Sequence, residues 1–230
     1  MASFRSPGDL GRIAAADSVA VIGLGRFGQS LALELMASGT EVLGIDSDEE
    51  IVQRLNGELT RVVVADSTHE DALRQLSVPE FDRVVVAIGG DVESSILTTS
   101  LLLRLGVKHI WAKANSDAHG TILDQLGVAH VVYPEKDMGR RVAHLVRGAM
   151  QDYLEIGDDF ALIKSAPAQR FTGVPLGELR LRTSHGITVT AVRRPGEAWT
   201  HTTADTVLGP DDVVLITGPT DKAEAFSQLR

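Results

Sequence analysis

Gly23-Leu24-Gly25-Arg26-Phe27-Gly28 lies directly after the apolar run Val19–Ile22 and before a stretch at helical spacing. A strand, this turn and a helix together make a cradle for a pyrophosphate. Gly23 permits the tight turn, Gly25 lets the backbone approach phosphates, and Gly28 lets the helix pack close to the strand. Asp46 ends the next apolar run, about 20 residues further on, where a carboxylate accepts hydrogen bonds from ribose hydroxyls. Ser47 and Asp48 follow it, and no arginine comes between them and Arg54. A 2′-phosphate would therefore meet two carboxylates without a counter-charge, which argues against NADP. Three glycines at this spacing also occur where only tight packing is served; the strand, helix and acidic residue falling in place favour the dinucleotide reading.

Other charged residues are ambiguous taken alone. Arg26 sits in a first helical turn, where the macrodipole disfavours a cation unless an anion is bound there. A solvated side chain pointing away is the equal alternative. Glu135 after Pro134 suits helix initiation by itself, and Lys113 near Trp111 is either a phosphate contact or a polar strand end.

The chemistry that is missing narrows the classes. The 230 residues contain no cysteine, which removes disulfides, thiolate metal sites and cysteine nucleophiles. No HxxxH, HExxH, GxSxG or GxxxxGK spacing occurs. The histidines are scattered without an acid–base arrangement, and His69, His119 and His185 read as surface residues. The formal net charge of −9 opposes broad capture of nucleic acid, so no nucleic-acid partner is expected. No apolar stretch approaches the roughly 18 residues of a membrane span, and residues 1–17 have Pro7, Gly8 and Asp9 where a signal peptide would be apolar. The expectation is a cytoplasmic protein that reaches a membrane only through a partner.

The elements that must position these residues follow from periodicity. With aromatics at 4%, the cores must be built from Val, Ile, Leu and Ala. The runs Val19–Ile22, Glu41–Ile45, Arg61–Val64, Arg83–Ile88, His109–Ala112 and His130–Tyr133 show little polar alternation, as in strands buried on both faces of a parallel sheet. Between them lie helical stretches, such as Phe27, Leu31 and Leu35, closed by Gly39, Gly57, Gly106 and Gly127. Ser67-Thr68-His69-Glu70 has capping-box spacing, and Asp91 and Ser116 are N-cap candidates. Six strand–helix units in a row predict an α/β Rossmann-type doubly wound parallel sheet over residues 18–136, after a flexible leader of residues 1–17. A long crossover helix and linker are expected over residues 137–156, with Val142, Leu145, Val146, Ala149 and Tyr153 on one stripe that suits an inter-subunit role. Alternating runs at Phe160–Lys164, Ile187–Arg193 and Val213–Thr217, a Pro195-Gly196 turn and a last helix from about Asp221 predict a small α+β domain over residues 157–230.

The resemblance is then specific. Val21-Ile22-Gly23-Leu24-Gly25-Arg26-Phe27-Gly28, Trp111-Ala112-Lys113-Ala114 and Tyr133-Pro134-Glu135-Lys136-Asp137-Met138-Gly139 resemble the nucleotide-binding RCK (KTN) domain of the cytosolic subunits of bacterial Trk/Ktr potassium uptake systems, closest to the Ktr branch. Phe171–Leu179, Gly186–Val189 and Gly209-Pro210-Asp211-Asp212 resemble the companion C-terminal domain. The resemblance implies a homo-oligomer, dimers assembling into an octameric ring, beneath a membrane potassium-translocating subunit. It implies ATP or ADP as ligand, in some members NAD/NADH, and in some C-terminal domains cyclic di-AMP. By the same resemblance Asp46 holds ribose, Arg26 reaches phosphate, Lys113 lies near the phosphates, Glu135 helps hold a cation, and Ala65-Asp66-Ser67 and Ala87-Ile88 line the base side. Asp48 departs from the family, where a neutral asparagine is common.

Charge supports the cation role. A triphosphate brings close to four negative charges beside Asp46 and Asp48, and a helix terminus supplies only about half a positive charge. Arg26 and Lys113 offset part of this. Glu135 would be repulsive unless a hard cation, Mg2+ or Ca2+, lay between. The reading is thus a nucleotide-binding regulatory subunit rather than an enzyme. A small NAD-dependent oxidoreductase is the alternative, weakened by the missing acid–base residues, and a DNA-binding redox regulator lacks a basic recognition helix.

Overall fold

The computed structural model describes residues 17–147, 150–157 and 159–229. The chain divides into two compact units after Glu135. In the first, β1 (Ser18–Ile22), β2 (Glu41–Asp46), β3 (Arg61–Val64), β4 (Arg83–Val86), β5 (His109–Lys113) and β6 (His130–Val132) form one parallel sheet in the order β3-β2-β1-β4-β5-β6. The order reverses beside β1, as in a doubly wound nucleotide-binding sheet. The low polarity of the runs is explained by burial on both faces. Ala20 and Ile22 of β1 enter one core with Leu73, Leu102 and Leu123, while Val19 and Val21 enter the other with Ala32 and Leu55.

The connecting helices are α1 (Arg26–Ala37), α2 (Glu49–Arg54), α3 (Glu70–Gln75), α4 (Val92–Arg104) and α5 (Asp117–Leu126). Two expected N-caps form: Asp91 accepts from the Glu93 and Ser94 amides before α4, and Ser116 Oγ accepts from His119 N before α5. The expected capping box does not. His69 precedes α3 without a side-chain cap, because Ser67 is buried and its hydroxyl pairs with Thr98 Oγ1 at 2.9 Å. Gly127 ends α5 with φ 92°, the left-handed conformation its position called for.

The largest correction concerns the long helix. α6 spans Pro134–Arg147, and residues 150–156 form a strand instead, β7 (Met150–Ile156), paired antiparallel with β8 (Phe160–Ser165). Tyr153, expected on the helical stripe, is a buried strand residue, and the Ala149 assignment lies outside the described residues. Hairpin formation wins here because Gly157, at φ 70°, permits the reversal and β8 supplies a ladder partner for every residue from Asp152 to Ile156. The stripe itself also splits. Leu145 packs against the second unit's core, whereas Met138, Val142 and Val146 are exposed, Val146 at 80%. The leader expected over residues 1–17 lies, apart from Asp17, outside the described residues.

The second unit is a small α+β domain. β9 (Thr188–Arg193), β10 (Thr200–His201) and β11 (Val213–Pro219) join β7 and β8 in an antiparallel sheet of order β10-β9-β11-β8-β7. The short helices α7 (Leu176–Leu179) and α8 (Leu181–His185) and the terminal α9 (Thr220–Ser227) accompany it, Phe171 stacking on Phe226 in its core. Two histidines read as surface residues are packed: His119 is buried, and His185 meets Phe171 and Phe226 edge-on.

Candidate functional site: a cleft at the switch point of the parallel sheet

A cleft of about 710 Å³ opens at the carboxyl ends of the strands. It is lined by fourteen of the fifteen residues singled out from the sequence: Gly23, Gly25, Arg26, Phe27, Asp46, Ser47, Asp48, Ala65, Asp66, Ser67, Ala87, Ile88, Lys113 and Glu135. Gly28 does not line it. A Cβ there would run into the Gly23 carbonyl oxygen and meet the Ala87 Cβ at 3.1 Å, so this glycine serves helix-to-strand packing. Gly23 is a conformational glycine, with φ +90° and the Ile88 amide 2.8 Å from where a Cβ would stand. A Cβ on Gly25 would meet nothing within 4 Å. Bare backbone there faces open space at the start of α1, whose first turn has no side-chain cap and no acidic residue.

Asp46 lies at the end of β2. Its Oδ2 accepts from Leu24 N at 2.6 Å and its Oδ1 from Asp48 N at 2.9 Å. Two amides fix the carboxylate, and each oxygen keeps a lone pair for a further donor such as a sugar hydroxyl. Asp48 is also committed: its Oδ1 caps α2 by accepting from Glu50 N and Ile51 N.

Five carboxylates and only two cations line the cleft, yet each carboxylate has a partner. Asp91 accepts from two amides and the Ser94 hydroxyl, which holds its carboxyl below the ordinary range. Asp66 is lowered chiefly by the Thr68 hydroxyl, 2.6 Å away. Lys113, 8% exposed, donates to Glu135 Oε1 at 2.5 Å, and this bond holds Glu135 below the usual carboxylate range. Arg26 has no carboxylate partner among the described residues, but its charge reaches Glu135 and lowers it further. It is the cation available to an incoming anion.

The Lys113–Glu135 pair adds a partner that the charge reading did not include: Lys113 neutralises Glu135 within the chain. Among the described residues no group of three His, Asp or Glu side chains is placed to hold a metal. Glu135 by itself offers an ion one carboxylate, engaged by an ammonium group, so the remaining oxygens would have to come from a bound phosphate.

The cleft also has a wall that sequence reasoning missed: Gly89, Gly90, Asp91, Ser94 and Asn115. Asp91 was legible only as a cap. The adjacent Gly89-Gly90 pair after β4 was the available signal, and it acquires meaning only because β4 lies beside β1. No histidine lines the cleft among the described residues.

Comparisons with known proteins agree with this geometry. The TrkA-N domain family matches residues 19–134 and the TrkA-C domain family residues 161–229. Ktr system potassium uptake protein C of Bacillus subtilis is 37% identical over 210 residues, covering 91% of this chain and 95% of that protein. Ktr system potassium uptake protein A of Vibrio alginolyticus is 35% identical over 204 residues, covering 88% of this chain and 93% of that protein. Among solved structures, the GsuK channel bound to NAD superposes with a TM-score of 0.66 at 18% identity, covering 94% of this chain and 39% of that one. The Shewanella denitrificans Kef C-terminal domain in its AMP-bound form gives 0.51 at 21% identity, covering 56% and 78%. At these identities the structures share a fold. The chain spans well under half of the GsuK channel.

Proposed function

The chain belongs to the TrkA-N/TrkA-C domain family, with Ktr potassium uptake proteins among its relatives, and on that premise we propose that it is a regulatory subunit that binds an adenine nucleotide in the switch-point cleft and thereby controls a membrane potassium-translocating partner. The observation that carries this reading is Asp46. Its carboxylate, held by the Leu24 and Asp48 amides, stands beside the uncapped start of α1 and the bare backbone of Gly25. A ribose at Asp46 would direct its phosphates onto Gly25 and Arg26. ATP, ADP and NAD/NADH share the adenosine and pyrophosphate portion that this arrangement recognises. A ligand that binds one arrangement of the assembly more tightly than another shifts the population between them, which is all that gating requires.

The assembly we propose is homo-oligomeric, built in part on the exposed Met138, Val142 and Val146 of α6, with the subunit at the cytoplasmic face of its membrane partner. Among the described residues no helix is long and apolar enough to cross a membrane. A cyclic dinucleotide has a candidate seat in the second unit, a cleft of about 430 Å³ that includes Arg180, Arg182 and Thr188. Calorimetric titration with AMP, ADP, ATP, NAD+ and NADH, each with and without EDTA, tests the central reading. Binding of at least one of them, lost in Asp46→Ala, is expected; absence of binding by all five would overturn it.

A further inference from the structure

His119, the third residue of α5, is 2% exposed, and its Nε2 is buried without a hydrogen-bond partner. Leaving such an atom unpaired is destabilising, so packing alone does not call for an imidazole here. Burial also pushes the imidazole pKa below its ordinary value, which keeps the ring neutral. What the ring provides is an acceptor. Its Nδ1 receives the Asn115 N–H at 3.3 Å, which places the ring proton on Nε2. The main chain that carries the ring is held by the helix cap, since His119 N donates to the N-cap Ser116 Oγ at 3.2 Å.

Asn115 connects this bond to the cleft. Its Nδ2 donates to the Gly89 carbonyl at 2.6 Å, and both residues form the wall opposite Asp46. Lys113, two residues before Asn115, lies against the same glycine: a Cβ on Gly89 would stand 3.1 Å from Lys113 Nζ. The end of β5 thus carries Lys113, and the turn from it into α5 carries Asn115.

We propose that His119 is a positioning residue for the nucleotide cleft: its neutral Nδ1 holds the Asn115 main chain so that the Asn115 carboxamide clamps the Gly89 carbonyl on the cleft wall. The consequence for ligand rests on the nucleotide reading above; the clamp itself does not.

His119→Leu keeps apolar bulk and removes the acceptor, whereas His119→Asn restores an acceptor oxygen near the position of Nδ1. Two quantities are measured on the full chain: hydrogen exchange of the Asn115 amide by NMR, and affinity for AMP and ADP by calorimetry. In His119→Leu the amide should exchange at least tenfold faster and both affinities should fall about fivefold, the effect of one lost hydrogen bond. In His119→Asn exchange and affinity should return to within about twofold of wild type. Wild-type exchange and affinity in folded His119→Leu would overturn the proposal, as would failure of His119→Asn to restore them. If His119→Leu does not fold, Asn115→Ala must lower AMP affinity by a similar factor, and unchanged affinity there overturns it. Wild-type chain that binds no adenine nucleotide refutes the nucleotide reading instead, and the exchange comparison then decides the clamp alone.

Discussion

Leu24 donates its backbone N–H to Asp46 Oδ2 at 2.6 Å, so the acidic residue at the end of β2 is also the fastener of the glycine turn after β1. Under the proposed nucleotide reading, ligand recognition and loop geometry are coupled through one carboxylate. Asp46→Ala is expected to weaken adenine nucleotides by about 1–3 kcal/mol, the range for losing hydrogen bonds to a charged acceptor. Asp46→Asn should also weaken them, because one oxygen becomes an NH2 group facing a backbone N–H. Calorimetry giving wild-type affinity for both variants would refute the assignment.

The fingerprint glycines should separate by phenotype. Gly28→Ala drives a methyl group into the Gly23 carbonyl and is expected to cost about 1–3 kcal/mol of stability. Gly25→Ala meets open space at φ −63° and should leave the melting temperature within about 1 °C of wild type. Its methyl group enters the cleft, so nucleotide affinity should drop at least tenfold. Equal thermal stability of the two variants would contradict this division.

Arg26 is the cleft cation without a carboxylate partner among the described residues. Arg26→Ala should weaken ATP more than AMP, by roughly a further tenfold for a lost charge-assisted contact. Parallel titrations with the two nucleotides measure the difference, and equal losses would place Arg26 away from the terminal phosphate.

Lys113 holds the Glu135 carboxyl below its ordinary value of about 4.3. A carboxylate with a depressed folded pKa contributes stability above the unfolded value, and loses it as pH falls through the folded one. In wild type, NMR of the Glu135 carboxyl carbon should show titration below the ordinary range. In Lys113→Met it should move up toward that range, with the Arg26 charge still acting to lower it. An unchanged titration would dissolve the pair.

The exposed stripe of α6 makes an assembly prediction. Val142→Glu with Val146→Glu should lower the solution mass measured by light scattering while the far-UV circular dichroism stays intact. Leu145 is unsuitable for this purpose, because it packs on the second unit's core and a charge there would unfold that unit. Unchanged mass would exclude this face from the interface.

Much of the site was legible because it is local. Gly23, Gly25 and Gly28 act within one turn, and the preceding strand and following helix are read from the same residues. The misreadings came from competition at longer range. Ser67 had the spacing of a cap and was taken by Thr98, thirty-one residues away. Tyr153 had helical spacing and was taken by the ladder with β8. Period alone does not separate these outcomes, since the same apolar residues satisfy a helix face or a strand face until a partner is present.

The sequence by itself determined the doubly wound parallel sheet and the place of Asp46 at the end of its second strand, because apolar runs buried on both faces and a glycine turn allow few other arrangements. Only the tertiary structure decided what each charge does. Glu135 and Lys113 are twenty-two residues apart and read singly as a helix start and a strand end, until β5 and β6 lie side by side and bring them to 2.5 Å. His119 shows the same limit: whether an imidazole faces water or a backbone amide depends on packing against other elements, and the identity of the residue does not encode it.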